Sequence, residues 1–264
     1  MANQTVSKDS LTVRDFVPRG HKASSNRNTA LFVGMRLLDC FLQSRVLTGG
    51  PAIAGFLRFL GAQQIVSPVR SPGALSDYRC VLLAMLCTTA AKHIWFATCV
   101  TEEAWTVHGA LAIGTYNIIC NTLNNLLFLC AATSATRLPA GETLANPWLQ
   151  AGVALFVLGI GAEWQCEIQR RSFKNDPSNR GKPFTLGLFA LVRHPNYSGY
   201  TLWRGALGLA TSGPLSGMLI ATFFAWDFCK RAIPALDEYC SKRYGEMWTE
   251  YKKKTPYRLI PGII

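Results

Sequence analysis

Residues 193–204 read R-H-P-N-Y-S-G-Y-T-L-W-R, from Arg193 to Arg204. A cation, an imidazole, an amide and a phenol fall within five residues around a helix-breaking proline, and an apolar run follows at once. In a hydrophobic chain, such a knot of donors at the edge of a membrane helix implies that something polar and anionic is held there. Pro195 supports that placement. The residue before a proline is pushed out of the α region and proline suits the first helical turn, so a helix is expected to begin at Pro195 or Asn196. Its free N–H groups would then face the same ligand as Arg193 and His194.

The composition agrees with a membrane setting. Of 264 residues, 49% are hydrophobic and 16% charged, with a mean hydropathy of +0.16, which points away from a soluble enzyme. The formal charge of +12 raises the question of nucleic acid, but the basic residues sit between apolar runs and near the C-terminus. That is the pattern of positive-inside topology and attraction to anionic lipid. No nucleic-acid motif accompanies the charge. The nine cysteines form no C-x-x-C pair and fall mostly inside apolar runs, so they read as small core residues; neither a disulfide frame nor a metal is expected.

Outward from the motif, the apolar runs predict an all-α polytopic bundle of about six transmembrane helices. Residues 1–28 form a polar tail containing Lys8, Arg14, Arg19, Lys22 and Arg27, with no apolar core of a cleavable signal, expected on the cytosolic side. Residues 29–147 hold the N-terminal membrane helices and residues 148–264 the half that carries the motif. The first crossing, about 29–47, is interrupted by Arg36 and Asp39, whose spacing lets both face a bundle interior. Residues 51–76 read as a re-entrant or interfacial segment followed by a loop. A crossing at about 78–100 has Lys92 near one end, where it is expected to snorkel.

The next crossing, about 109–135, carries Asn117, Asn121, Asn124 and Asn125 at i, i+4, i+7 and i+8, an amide stripe on one helical face. The stripe serves either hydrogen bonds between helices or the lining of a polar cavity, and spacing does not separate the two. A helix from about 148 runs past its apolar core into Q-C-E-I-Q-R-R-S-F-K, where Glu167 and Arg171 form an i,i+4 pair. The cations from Arg170 to Arg193 mark the following segment as cytosolic. Residues 196–228, broken at Ser212-Gly213-Pro214, read as a helical hairpin. Beyond it, Tyr244, Met247, Trp248 and Tyr251 share one face of a cytosolic amphipathic helix over 237–251. That face either packs on the membrane part or closes over a cofactor. Both termini are then cytosolic.

Four segments together carry a resemblance: Q-R-R-S-F-K (Gln169 to Lys174), G-L-F-A-L-V-R-H-P-N-Y-S-G-Y (Gly187 to Tyr200), R-Y-G-E-M-W-T-E-Y (Arg243 to Tyr251) and T-P-Y-R-L-I-P-G-I (Thr255 to Ile263). In this order they resemble the C-terminal part of the sterol reductase and steroid 5α-reductase-like membrane enzymes, over roughly residues 160–264. Isoprenylcysteine carboxyl methyltransferases share that architecture, with a related R-H-P-x-Y motif. The reductase resemblance implies an NADPH pocket open to the cytosol. Gln169, Arg170, Phe173 and Lys174 would meet the cofactor phosphates, Arg193, His194, Asn196 and Tyr197 would form the heart of the site, and Tyr244 and Tyr251 match the family's tail. The implied reaction is reduction of an activated carbon–carbon double bond in a sterol-, terpenoid- or other lipid-like substrate, in lipid metabolism such as steroid biosynthesis. Tyr197 would be the general acid, and His194 would polarise the substrate or orient the cofactor. The resemblance also implies an endoplasmic reticulum membrane.

Two departures open an alternative. Where the sterol reductases carry an acid after the glycine of R-H-x-N-Y-x-G, this chain has Tyr200; where they have Arg-Asp before a cysteine, it has Ala235 and Leu236 ahead of Cys240. An acidic cluster at Asp237 and Glu238 resembles the methyltransferases. The same pocket would then hold S-adenosylmethionine, with Arg193 and His194 on its carboxylate and Asp237 or Glu238 on its ribose. Asn196, Arg170, Lys174 and the P-Y-R-L-I-P-G-I ending look more like the reductases, which makes NADPH the first expectation. A non-catalytic scaffold that keeps the fold is a third possibility, compatible with the changed carboxylates.

Overall fold

The computed structural model describes residues 25–69, 71, 73–137 and 141–263. Most of the polar tail expected over residues 1–28 lies outside the described residues. Among those described, every regular element is a helix, in keeping with the expected class, and a single antiparallel bridge joins Gln64 to Cys130. The helices are α1 (Asn26–Leu47), α2 (Pro51–Phe59), α3 (Asp77–Trp95), α4 (Val107–Leu129), α5 (Pro147–Asn175), α6 (Pro195–Asp227), α7 (Ile233–Tyr244) and α8 (Glu246–Lys254).

Their starts follow local chemistry. Ser76 Oγ accepts from the Arg79 N–H at 3.3 Å and Thr106 Oγ1 from Gly109 at 2.9 Å, which satisfies orphan donors of α3 and α4. Asn146 Oδ1 accepts from Trp148 and Leu149 while Pro147 occupies the first turn of α5. Pro195 opens α6, where a helix start was expected.

Three segments are long and apolar enough to cross a membrane: Asp77–Val100, Pro147–Asn175 and Pro195–Tyr244. They give the chain the character of an integral membrane protein, and exposed Leu155, Val157, Leu158, Leu215, Met218, Leu219 and Phe223 on α5 and α6 present a lipid-compatible surface. The third segment reverses within itself. Gly213, at φ +79°, breaks the helical path ahead of Pro214, a backbone region open to glycine. Gly205 then lies against Gly217 and Ala221, so the arms 195–212 and 214–227 pack antiparallel as the sequence suggests. α1 and α4 have 22 and 23 residues, a spanning length, but buried polar side chains lower their hydropathy.

α5 and the first arm of α6 form the closest helix pair. A Cβ added to Gly159 would come within 2.7 Å of the Trp203 N and one on Gly199 within 2.6 Å of the Gly159 carbonyl oxygen, so the backbones touch.

Four expectations are corrected. α4 stops at Leu129 instead of continuing to 135, because Cys130 turns extended and residues 63–65 pair with 129–131 through Ile65 N–H to Leu129 O (2.8 Å) and Ala131 N–H to Gln63 O (2.7 Å). The helix expected over 237–251 is two helices, since Gly245 at φ +54° terminates α7; Met247 consequently faces outward while Trp248 and Tyr251 are buried. Lys92 does not snorkel: it is buried against Glu163 and Glu167 of α5, the Glu167 contact being 3.0 Å. Glu167 is thereby turned from Arg171, which is exposed.

The glycine contact gives a direct test. Gly159→Leu is expected to cost about 1–3 kcal/mol by overpacking, read as a lower melting temperature in detergent. Gly161→Ala, two residues on and facing open space, should melt at or above wild type. Equal behaviour of the two variants would rule out the close backbone contact.

Candidate cofactor site and the polar interior

The R-H-P-N-Y motif meets the C-terminal tail. The N–H groups of Arg193 and His194 donate to the carbonyls of Tyr257 (2.9 Å) and Arg258 (3.0 Å). Arg193 Nη1 donates to the carbonyls of Thr255 and Pro256, both at 2.8 Å, and Ser198 Oγ donates to Leu259 O at 2.6 Å. Tyr251 Oη donates to Phe189 O at 2.7 Å. Burial lowers the proton affinity of the Arg193 guanidinium, Arg258 adds to that, and nearby Asp237 and Tyr251 oppose it. Burial likewise raises the Tyr251 phenol, which stays protonated at neutral pH.

Asp237 sits beside this knot. Its oxygens accept from Trp248 Nε1 at 2.7 Å and Lys252 Nζ at 3.2 Å, and the charges of Asp237 and Arg193 lie within reach of each other. His194 is buried, its ring stacked on Tyr197 with centroids 5.5 Å apart; Tyr197 stacks on Phe228 at 4.4 Å. Asn196 is half-buried. The N–H groups of Tyr197 and Ser198 both donate to the His194 carbonyl, so the start of α6 offers fewer donors to a ligand than expected.

The end of α5 supplies a second group. Gln169 and Phe173 line an open cleft of about 490 Å³ with Ile168, Ser172, Phe184 and Gly187. Phe184 touches both Phe173 (5.0 Å) and Phe189 (5.2 Å), which connects this cleft to Tyr251. Arg170 and Arg243 lie within electrostatic reach of Lys174, and Arg170 within that of Tyr244. The structure thus gathers the anticipated residues into two adjoining groups, Gln169, Phe173, Arg170, Lys174 and Tyr244 on one side and Arg193, His194, Tyr197, Asp237 and Tyr251 on the other.

Several contributors escaped sequence reasoning. Phe228 sits outside every recognised motif, and Lys252 reaches Asp237 across the Gly245 break, where helical spacing gives no guidance. Tyr200 lies deeper, its phenol oxygen accepting from Arg204 Nε at 3.1 Å among Trp203, Phe224 and Phe228.

Arg204 leads into a buried polar network. Its Nη1 and Nη2 donate to Asn121 (2.9 Å) and Asn117 (2.5 Å). Asn121 donates to Asp39 at 2.7 Å, as do Arg36 (2.7 Å) and Gln43 (2.9 Å), and Asn125 donates to Gln43 at 2.8 Å. The amide stripe of α4 therefore serves hydrogen bonds between helices, at least through Asn117, Asn121 and Asn125.

A family model described as "Protein of unknown function (DUF1295)" matches residues 99–255. The chain belongs to the DUF1295 family. It is 51% identical over 253 residues to the probable O-methyltransferase ustE of Ustilaginoidea virens, covering 92% of this chain and 89% of that one. It is 29% identical over 75 residues to protein-S-isoprenylcysteine O-methyltransferase B of Arabidopsis thaliana, covering 28% and 38% of the two chains. It is 38% identical over 112 residues to a Delta(14)-sterol reductase of Mus musculus, covering 36% and 26%. This DUF1295 chain thus falls in the superfamily that its motifs resemble, with relatives named for both reactions.

If Arg193 pins the tail, Arg193→Ala should speed amide hydrogen exchange at residues 193 and 194, whose N–H groups donate to the tail carbonyls, by at least about tenfold, the value of one charge-assisted hydrogen bond, with little change in α1 to α4. Unchanged exchange at these two amides would show that the two guanidinium–carbonyl contacts contribute nothing.

Proposed function

We propose that the chain is a membrane-bound O-methyltransferase that uses S-adenosylmethionine and acts on an oxygen of a lipophilic small molecule. The observation that carries this reading is that Arg193 and Asp237 lie within electrostatic reach of each other, where the motif also presents the stacked rings of His194, Tyr197 and Phe228 and where the reductase pattern has lost its carboxylates. A relative named as a probable O-methyltransferase, 51% identical across 92% of the chain, supports it.

The residues fit such a cofactor. Arg193 Nε is buried without a hydrogen bond, a donor suited to a carboxylate. Asp237 is an acceptor suited to ribose hydroxyls. S-adenosylmethionine, when bound, supplies an electrophilic methyl group to an oxygen nucleophile. Tyr197 and Phe228 would exclude water from that region, and His194 Nε2 would accept the proton of the acceptor hydroxyl. The tail, held by Arg193 and Ser198, would position Tyr251 and Trp248 over the site.

The full topology belongs to the same proposal: α1, α3, α4, α5 and the two arms of α6 cross the membrane, six spans in all, in an endoplasmic reticulum membrane with both termini cytosolic. Residues 148–264 would form the cofactor-binding half. Arg170 and Lys174 at the end of α5, with Arg243 of α7 within electrostatic reach of Lys174, favour a second reading, NADPH-dependent reduction of a carbon–carbon double bond, because clustered cations suit phosphates.

Melting temperatures in detergent with S-adenosylmethionine, NADPH and NADH tested separately discriminate between them. A true cofactor at a hundred times its dissociation constant stabilises by about 2.7 kcal/mol. The methyltransferase reading expects that shift from S-adenosylmethionine, weakened in Asp237→Asn. A shift from NADPH alone, lost in Arg170→Ala, would replace it with the reductase, and a response to none would favour the scaffold.

A further inference from the structure

The interior network has a feature that hydrogen bonding between helices does not require. Arg36 is fully buried, and only its Nη1 is engaged, by Asp39; its Nε and Nη2 are sealed from solvent with no hydrogen-bond partner. His93 of α3 is half-buried and its Nδ1 is in the same condition. The charges of Arg36 and Arg204 both reach His93, whose ring lies against Tyr200 at 6.5 Å and Trp203 at 6.0 Å. Arg36 on α1 and His93 on α3 thus lie within electrostatic reach of each other and of the Arg204 guanidinium, with three buried nitrogen atoms unused between them.

Arg36 donates directly to Asp39, and Arg204 reaches that carboxylate only through Asn121. Lys92 meets Glu163 and Glu167, so the buried cations Arg36, Lys92 and Arg204 are matched in number by Asp39, Glu163 and Glu167. What remains unmet is hydrogen bonding: a buried guanidinium with two unused N–H groups matches an oxyanion. Arg204 itself is satisfied by Tyr200, Asn117 and Asn121, which leaves Arg36 as the direct donor.

We propose that Arg36 and His93 form a second, intramembrane site that holds the anionic group of an acidic lipophile entering from the bilayer. Tyr200 is six residues beyond His194 along α6, roughly 9 Å at the helical rise. The anion held there is therefore a different group from the oxygen presented at the cofactor site. The ligand class is a lipophile with two polar positions separated by an apolar stretch. That this ligand is the methyl acceptor rests on the reading above; the anion site does not.

The test uses the full-length protein in neutral detergent at pH 8, titrated calorimetrically with dodecanoate and, separately, with dodecanol. Wild type is expected to bind dodecanoate at least about tenfold more tightly than dodecanol, the increment of a charge-assisted hydrogen bond. Arg36→Gln should bring the two to parity. Asp39→Asn, which removes the competing carboxylate, should tighten dodecanoate binding and leave dodecanol unchanged. Parity in wild type, or a preference that survives in Arg36→Gln, would overturn the site; the second result would place the anion on surface cations. Thermal stabilisation by S-adenosylmethionine is measured on the same samples. Its absence from wild type would sink the methyl-transfer reading and leave the anion site to stand or fall on the dodecanoate titration, and its presence in Arg36→Gln would show that variant to be folded.

Discussion

A charge inside an apolar helix bundle persists only with its partner beside it, and Asp39 is where that constraint gathers the N-terminal helices. It accepts from Arg36 and Gln43 on its own helix and from Asn121 on α4. Asn121 and Asn117 in turn accept from Arg204 on α6. One chain of hydrogen bonds thereby sets the rotation of three helices about their own axes. Removing one partner from such a group typically costs about 3–5 kcal/mol, because the remaining charge has no water to return to. Arg36, Asp39 and Gln43 also lower the hydropathy of α1, so its polar face is accommodated by the bundle and not by lipid.

The C-terminal site depends on a different constraint, backbone contact. Gly159 and Gly199 bring α5 and α6 together without intervening side chains. The end of α5 carries Gln169 and Phe173, and the start of α6 follows Arg193 and His194, so this crossing fixes how far apart the two groups of candidate residues lie. Both groups are then tied to the tail, one through Arg193 and Ser198 and the other through the Phe184, Phe189 and Tyr251 contacts. The candidate residues thus come from distant sequence segments that meet around one close helix crossing.

Much of this is legible in the sequence where the information is local. Apolar runs mark the helices, Pro195 marks the start of α6, Ser212-Gly213-Pro214 marks the reversal, and the spacing of Arg36 and Asp39 anticipates a buried pair. What fails is information held by a partner. Lys92 looks like a snorkelling residue until Glu163 and Glu167 of another helix are placed beside it. The amide stripe is ambiguous on its own because its meaning is decided by Arg204 and Asp39. The helical spacing of Tyr244, Met247, Trp248 and Tyr251 runs across Gly245, whereas the positive φ of that glycine ends α7 and lets α8 fold back so that Trp248 and Lys252 reach Asp237.

A fold shared by two reactions does not itself choose between them; the choice lies in particular side chains. Tyr200 connects the two unusual features of this chain. The sterol reductase pattern has an acid at that point, and an acid there would face Arg204, which here receives only a phenol oxygen. Tyr200 also lies against His93, within reach of the Glu163 carboxylate that Lys92 holds. The residue that departs from the reductase pattern thus stands between the ion pairs of the interior and the unused donors of Arg36 and His93, so the reaction and the kind of lipophile admitted are both read at one position.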